Sequence, residues 1–233
     1  MLLEICANSY QSAINAQNAG ADRIELCSEL SVGGITPSYG LLIKVAEQVT
    51  IPVHVLIRPR SGNFYYTDEE FLQMKANIEL CKKLGFQGIV SGVLNADNSI
   101  DEKKTQELIA LSKPLSFTFH RAFDCVIDPL KSLETLMNLG VDRILTSGQK
   151  NKALDGLGLL KQLKDIAKDK LIILPGSGIN SENICLFKQT GFTEIHTSAS
   201  KNLKKNAVFF DDTNQTISDV STIKEILNQI KNA

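Results

Sequence analysis

The feature that most restricts this chain is a rhythm: short apolar runs alternate with longer amphipathic stretches from one end to the other. The apolar runs cover residues 2–6, 23–26, 53–57, 88–91, 116–120, 143–146, 171–174 and 194–197. Between and after them, helical periodicity covers residues 9–19, 38–49, 68–84, 101–111, 129–139, 157–167, 181–189 and about 218–231. Strands joined through helices run parallel, because each helix returns the chain to the starting edge of the sheet. Eight such units over residues 1–233 predict one α/β domain, a TIM (β/α)8 barrel. Asp68, Asp101 and Asp128 stand where helix N-caps are expected.

An internal repeat supports closure. Gly20 and Ile24, Gly85 and Ile89, Gly140 and Ile144, and Gly191 and Ile195 share one spacing at the start of strands 2, 4, 6 and 8. Each glycine suits the left-handed conformation that ends a helix, and each isoleucine then points outward to the helix layer. Alternation along the strands sorts the two faces. Leu3, Ile5, Ile24, Leu26, Val53, Val55, Ile57, Phe117 and Phe119 fall outward; Glu4, Cys6, Glu25, Cys27, Arg58, His120, Ser147 and His196 fall inward or at the mouth. A doubly wound sheet shares the alternation, but the even spacing without a topological break favours the barrel.

Composition narrows the partners. Lys+Arg 25 against Asp+Glu 26 leaves a net charge of -1, so no global field recruits nucleic acid or an anionic membrane. An anion has to be caught locally. No stretch of eighteen apolar residues exists to span a bilayer. The N-terminal residues lack a basic and apolar leader pattern, and five cysteines do not form the framework of a small secreted protein. A cytoplasmic location with reduced thiols is the expectation.

Chemistry is expected where strands end. Glu4 and Cys6 on strand 1 repeat as Glu25 and Cys27 on strand 2, placing two thiols and two carboxylates on adjacent inward positions. Thiolates suit a soft ion such as Cu(I), whereas buried cysteines also serve as small hydrophobes. The carboxylates weigh against the second alternative, because an unpaired buried carboxylate is costly. His120 ends strand 5 and is a candidate general base or metal ligand. Arg58 and Arg60 flank Pro59 after strand 3 and suit a carboxylate or phosphate. Gly176, Ser177 and Gly178 after strand 7, with Ser198 after strand 8 and Ser147 after strand 6, form a candidate anion-binding rim. His54 reads as a satisfied core residue, His196 stays open between core and function, and Cys81, Cys125 and Cys185 receive no role.

The runs Ala21-Asp-Arg-Ile-Glu-Leu-Cys27, Gly33-Gly-Ile-Thr-Pro-Ser38, Ile57-Arg-Pro-Arg-Ser-Gly62, Phe119-His-Arg-Ala-Phe-Asp124 and Ile144-Leu-Thr-Ser-Gly148 resemble the signatures of the CutC copper homeostasis family. The likeness covers residues 2 to about 200; beyond it the tail carries little signature. It implies a TIM-like barrel, a cytoplasmic homo-oligomer (dimer or tetramer), and copper ligation at Cys6 and Cys27. Two functions follow as expectations. One is Cu(I) binding by Cys6 and Cys27 at the barrel mouth. The other is an enzyme acting on a small anionic or phosphorylated metabolite, with Glu4, Glu25 and His120 as acid and base and no organic cofactor.

Overall fold

A computed structural model of the chain describes residues 1–203 and 215–232. Eight parallel strands form the barrel: β1 (Leu2–Ala7), β2 (Arg23–Leu26), β3 (Val53–Leu56), β4 (Gly88–Ser91), β5 (Ser116–Phe119), β6 (Arg143–Thr146), β7 (Ile172–Pro175) and β8 (Glu194–Thr197). The hydrogen-bonded order runs β7-β6-β5-β4-β3-β2-β1-β8. β7 and β8 then lie side by side, and Thr197 Oγ1 donates to Ile179 O 2.7 Å away beside this seam. The barrel expected from the alternation is the fold observed.

The two faces separate as period-2 alternation requires. Leu3, Ile5, Ile24, Leu26, Val53, Val55, Ile57, Phe117 and Phe119 belong to the large apolar layer between barrel and helices. A separate, small apolar cluster inside the barrel consists of Cys6, Cys27, Leu56 and Val90, with Leu30 packed on it. The remaining interior is polar. Register places His196, Glu4 and Arg23 side by side on β8, β1 and β2, and Cys6, Glu25, His54, Gly88 and Ser116 side by side on β1 to β5. Gly88 has to be glycine there, because a Cβ would come within 2.3 Å of the His54 ring.

Helices α1 (Tyr10–Ala19), α2 (Tyr39–Gln48), α3 (Asp68–Lys83), α4 (Glu102–Ser112), α5 (Pro129–Leu139), α6 (Leu157–Ala167), α7 (Ile184–Gln189) and α8 (Val220–Asn232) cover the outside. The repeat glycines Gly20, Gly85, Gly140 and Gly191 all take left-handed backbone, with φ of 92, 80, 78 and 84°. Asp101 and Asp128 cap α4 and α5 as expected. For α3 the cap is Thr67 rather than Asp68: Thr67 and Glu70 form a reciprocal capping box, which leaves Asp68 inside the first turn. α7 starts at Ile184, three residues later than the sequence suggests, because Asn180 and Asn183 hold the preceding segment as a loop. Beyond the barrel, β9 (Ser200–Asn202) pairs antiparallel with β10 (Thr216–Ser218), which leads into α8. No helix among the described residues is long and apolar enough to cross a membrane.

Candidate functional site

The barrel interior holds two polar levels. At the lower one, Arg23 Nε binds Glu4 Oε2 and Arg23 also binds Glu194. Arg143 Nε reaches the same Glu194 oxygen at 2.8 Å, and its NH1 donates to Ser116 Oγ at 2.6 Å. Two arginines thus balance two carboxylates in a buried network, the arrangement buried charge requires. His54 abuts this level without joining it. Its Nδ1 has no partner among the described residues, contrary to the satisfied role expected for it. Burial, reinforced by the charges of Arg23 and Arg143, lowers the His54 imidazole to about 4, so the ring is neutral.

Above lies a cluster of Glu4, His196, Cys6, Glu25 and Cys27. His196 Nδ1 is 2.8 Å from Glu4 Oε1, Cys6 Sγ is 3.8 Å from Glu25 Oε1, and the sulfurs of Cys6 and Cys27 are 3.6 Å apart. Donor atoms of Cys6, Glu25 and His196 all lie within 4.8 Å of one another. Burial works to raise the Glu4 carboxyl, but the hydrogen bond from His196 and the charge of Arg23 prevail and hold it well below the ordinary carboxylate range. Burial likewise opposes a charged His196, yet Glu25, Cys6 and Glu4 together raise it well above an ordinary imidazole. Glu25 is pushed up to about 7 by burial that His196 only partly counters. Hydrogen bonding to Cys27, then burial, keeps Cys6 a thiol well above the usual range.

This cluster is the floor of a cavity of about 710 Å³ that opens at the C-terminal ends of the strands. Cys6, Glu25 and His196 line it, whereas Cys27 is wholly buried behind them against Leu56 and Gly34. His120 also lines it. Its Nδ1 accepts a hydrogen bond from Ala122 N at 3.2 Å, which makes Nε2 the protonated nitrogen, and that Nε2 has no partner among the described residues. Burial, with the Arg58 charge, lowers His120 to about 3. The Phe64 ring packs against it at 4.8 Å, tilted by 56°, and the Arg58 guanidinium covers Phe64 at 5.0 Å.

The expected anion-binding residues are distributed around this mouth. Arg58 lines the cavity, but its guanidinium donates to Val32 O, Gly34 O and Gly62 O, tying two loops together. Arg60 points away to Glu70, Asn63 and Tyr65. Ser147 is buried, bonded to Asp124 and accepting from Arg121 NH2. Ser177, Gly178 and Ser198 line the cavity. Gly176 lies behind them, where a Cβ would meet Leu145 at 2.6 Å and His196 at 3.2 Å, so its absence of a side chain makes room for His196. Cys125 lies on the rim in a single 3-10 turn, Arg121–Cys125. Arg23, Glu194 and Arg143 escaped the sequence reading. The signal was available, since each is a charged residue at the first position of a strand, on the inward register.

Comparison with known proteins agrees with this architecture. The family model for CutC matches residues 1–201. The human copper homeostasis protein cutC homolog (Homo sapiens) is 50% identical over 199 residues, covering 85% of this chain and 73% of that protein. A CutC family protein of Klebsiella pneumoniae (strain 342) is 46% identical over 208 residues, covering 89% and 84%. The crystal structure of a copper homeostasis protein CutC from Streptococcus agalactiae superimposes with a TM-score of 0.80 at 34% identity, covering 85% of this chain and 98% of that one. Phosphoribosylanthranilate isomerase from Thermotoga maritima, with a TM-score of 0.63 at 10% identity and full coverage of both chains, shares the barrel fold alone. With two thirds and more of its length matched at this identity, the chain belongs to the CutC family.

Proposed function

We propose that this protein binds Cu(I) through the thiolates of Cys6 and Cys27 at the floor of the barrel mouth, and that it does so in the cytoplasm as a homo-oligomer serving copper homeostasis. The observation that carries this reading is the pair of buried sulfurs 3.6 Å apart, one of them lining the cavity. Thiolate is the donor that selects a soft monovalent ion, and a reducing compartment keeps free cysteines available. Relatives named for copper homeostasis support the same reading. Titrating the reduced, metal-free protein with Cu(I) against a competing chelator tests it. Tight binding that disappears in the Cys6→Ser, Cys27→Ser double variant is the expected result, and binding indifferent to that change overturns it.

A second reading has its own observation. The cavity is far larger than an ion needs, and Glu25 Oε2 and His120 Nε2, both on residues that line it, lack partners among the described residues. A pocket of that size with a few polar groups is how small-molecule sites are built. On this reading a small anionic or phosphorylated metabolite binds near Ser177, Gly178 and Ser198, and Glu4, Glu25 and His120 handle protons. Screening such metabolites for thermal stabilisation decides it, since a ligand that binds the folded state raises the melting temperature. No stabilisation by any of them removes the enzymatic reading.

A further inference from the structure

His196 is held on one edge by a carboxylate that is itself clamped, and the way it is held assigns it a task. One oxygen of Glu4 faces its Nδ1 at 2.8 Å, while the other oxygen is engaged by Arg23. Arg23 is braced in turn by Glu194, which also binds Arg143. A carboxylate accepts and does not donate, so Nδ1 keeps its hydrogen and Nε2, giving up its own proton to the solvent, is the nitrogen that can bind a metal. On its other edge the ring has room because position 176 is glycine: a Cβ there would come within 3.2 Å of His196 Cδ2. The ring already lies beside the sulfur nearest the cavity, with donor atoms of His196 and Cys6 within 4.8 Å. A carboxylate that orients an imidazole for a metal is a recurrent outer-shell device, and it sets the tautomer that binds.

We propose that His196 completes the copper site as a third donor, through Nε2, beside the sulfurs of Cys6 and Cys27, and that Glu4, clamped by Arg23, is its positioning residue. This rests on the copper reading above. Cys27 lies outside the 4.8 Å reach shared by Cys6, Glu25 and His196 and joins through the 3.6 Å approach of its sulfur to Cys6; Glu25 is within that reach but is a hard oxygen donor, and Cu(I) prefers thiolate and imidazole. The lower ionic level of the barrel thereby acquires a functional consequence: it orients the one nitrogen donor of the site.

X-ray absorption of the Cu(I)-loaded, full-length protein tests the proposal without any variant. A shell of two sulfurs and one nitrogen is expected, and a shell of sulfur alone overturns it. Chelator competition provides the second arm. His196→Gln, whose amide can still bond Glu4, should weaken Cu(I) binding by about 10- to 100-fold and remove the nitrogen from the shell. Glu4→Gln should weaken binding by about 10-fold while the nitrogen remains, the mark of a residue acting through another. Unchanged affinity in His196→Gln overturns the third donor, and unchanged affinity in Glu4→Gln overturns the positioning role. If instead the Cys6→Ser, Cys27→Ser double variant binds copper as the wild type does, the copper reading itself falls, which separates the two failures.

Discussion

Two levels of one barrel interior differ in how far their charged groups are satisfied. In the lower level Arg23, Glu4, Glu194, Arg143 and Ser116 answer one another charge for charge and bond for bond. In the upper level Glu25 Oε2 and His120 Nε2 have no hydrogen-bond partner among the described residues, and the Cys6 thiol has the Cys27 sulfur, Glu25 and His196 as its polar neighbours. Buried polar atoms without partners are rare and costly. The difference teaches that the lower level is a scaffold whose charges are met within the chain, while the upper level leaves polar atoms of two cavity-lining residues without partners among the described residues.

The largest test of this contrast removes the centre of the scaffold. Arg23→Leu leaves the Glu4 oxygen it held without a cation and weakens the hold on Glu194, so urea denaturation should show a loss of about 3–5 kcal/mol. A loss under about 1 kcal/mol would mean that the two levels are alike.

A smaller effect comes from pH. His120 is lowered to about 3, below its unfolded value near 6.5, so the unfolded state takes up the proton first as the solution is acidified. The stability this neutral ring confers is complete above pH 6.5 and is lost as pH falls through the window toward 3. Wild-type stability should therefore drop relative to His120→Gln by about 1.4 kcal/mol per pH unit below 6.5. Parallel denaturation series at pH 7, 6 and 5 measure it, and parallel curves would show that His120 is not held neutral.

The smallest effect belongs to the upper level. Glu25→Gln retains an acceptor for the Cys6 thiol and gives up no bond at Oε2, but it removes a carboxyl that helps keep His196 charged, so its stability should fall by about 1 kcal/mol at pH 7, well short of the scaffold variant. A loss of several kcal/mol would transfer Glu25 to the scaffold.

How much of this was legible depends on the range of the signal. Strand faces were legible because alternation is local: Ile5 and Ile24 outward and Cys6 and Glu25 inward follow from two-residue periodicity alone. The glycine repeat was legible because a left-handed helix end needs that residue. Arg58 and Arg60 read from the sequence as a pair suited to a carboxylate or phosphate, and their actual acceptors, carbonyls of Val32, Gly34 and Gly62 for one and Glu70 for the other, lie on loops and a helix whose approach no local pattern encodes. His196 could not be decided at all without its neighbour, since its carboxylate partner lies at position 4, at the opposite end of the chain.

By itself, then, the sequence determined the barrel, the sidedness of each strand and the membership of the CutC signatures, because these depend on backbone periodicity and on residues close along the chain. Only the tertiary structure decided which inward groups meet. Stagger between the strands sets Arg23 between Glu4 and Glu194, brings the Cys6 and Cys27 sulfurs to 3.6 Å, and seats His196 against Glu4 at the β8–β1 pairing. Side-chain chemistry names the possible partners; closure of the sheet chooses among them.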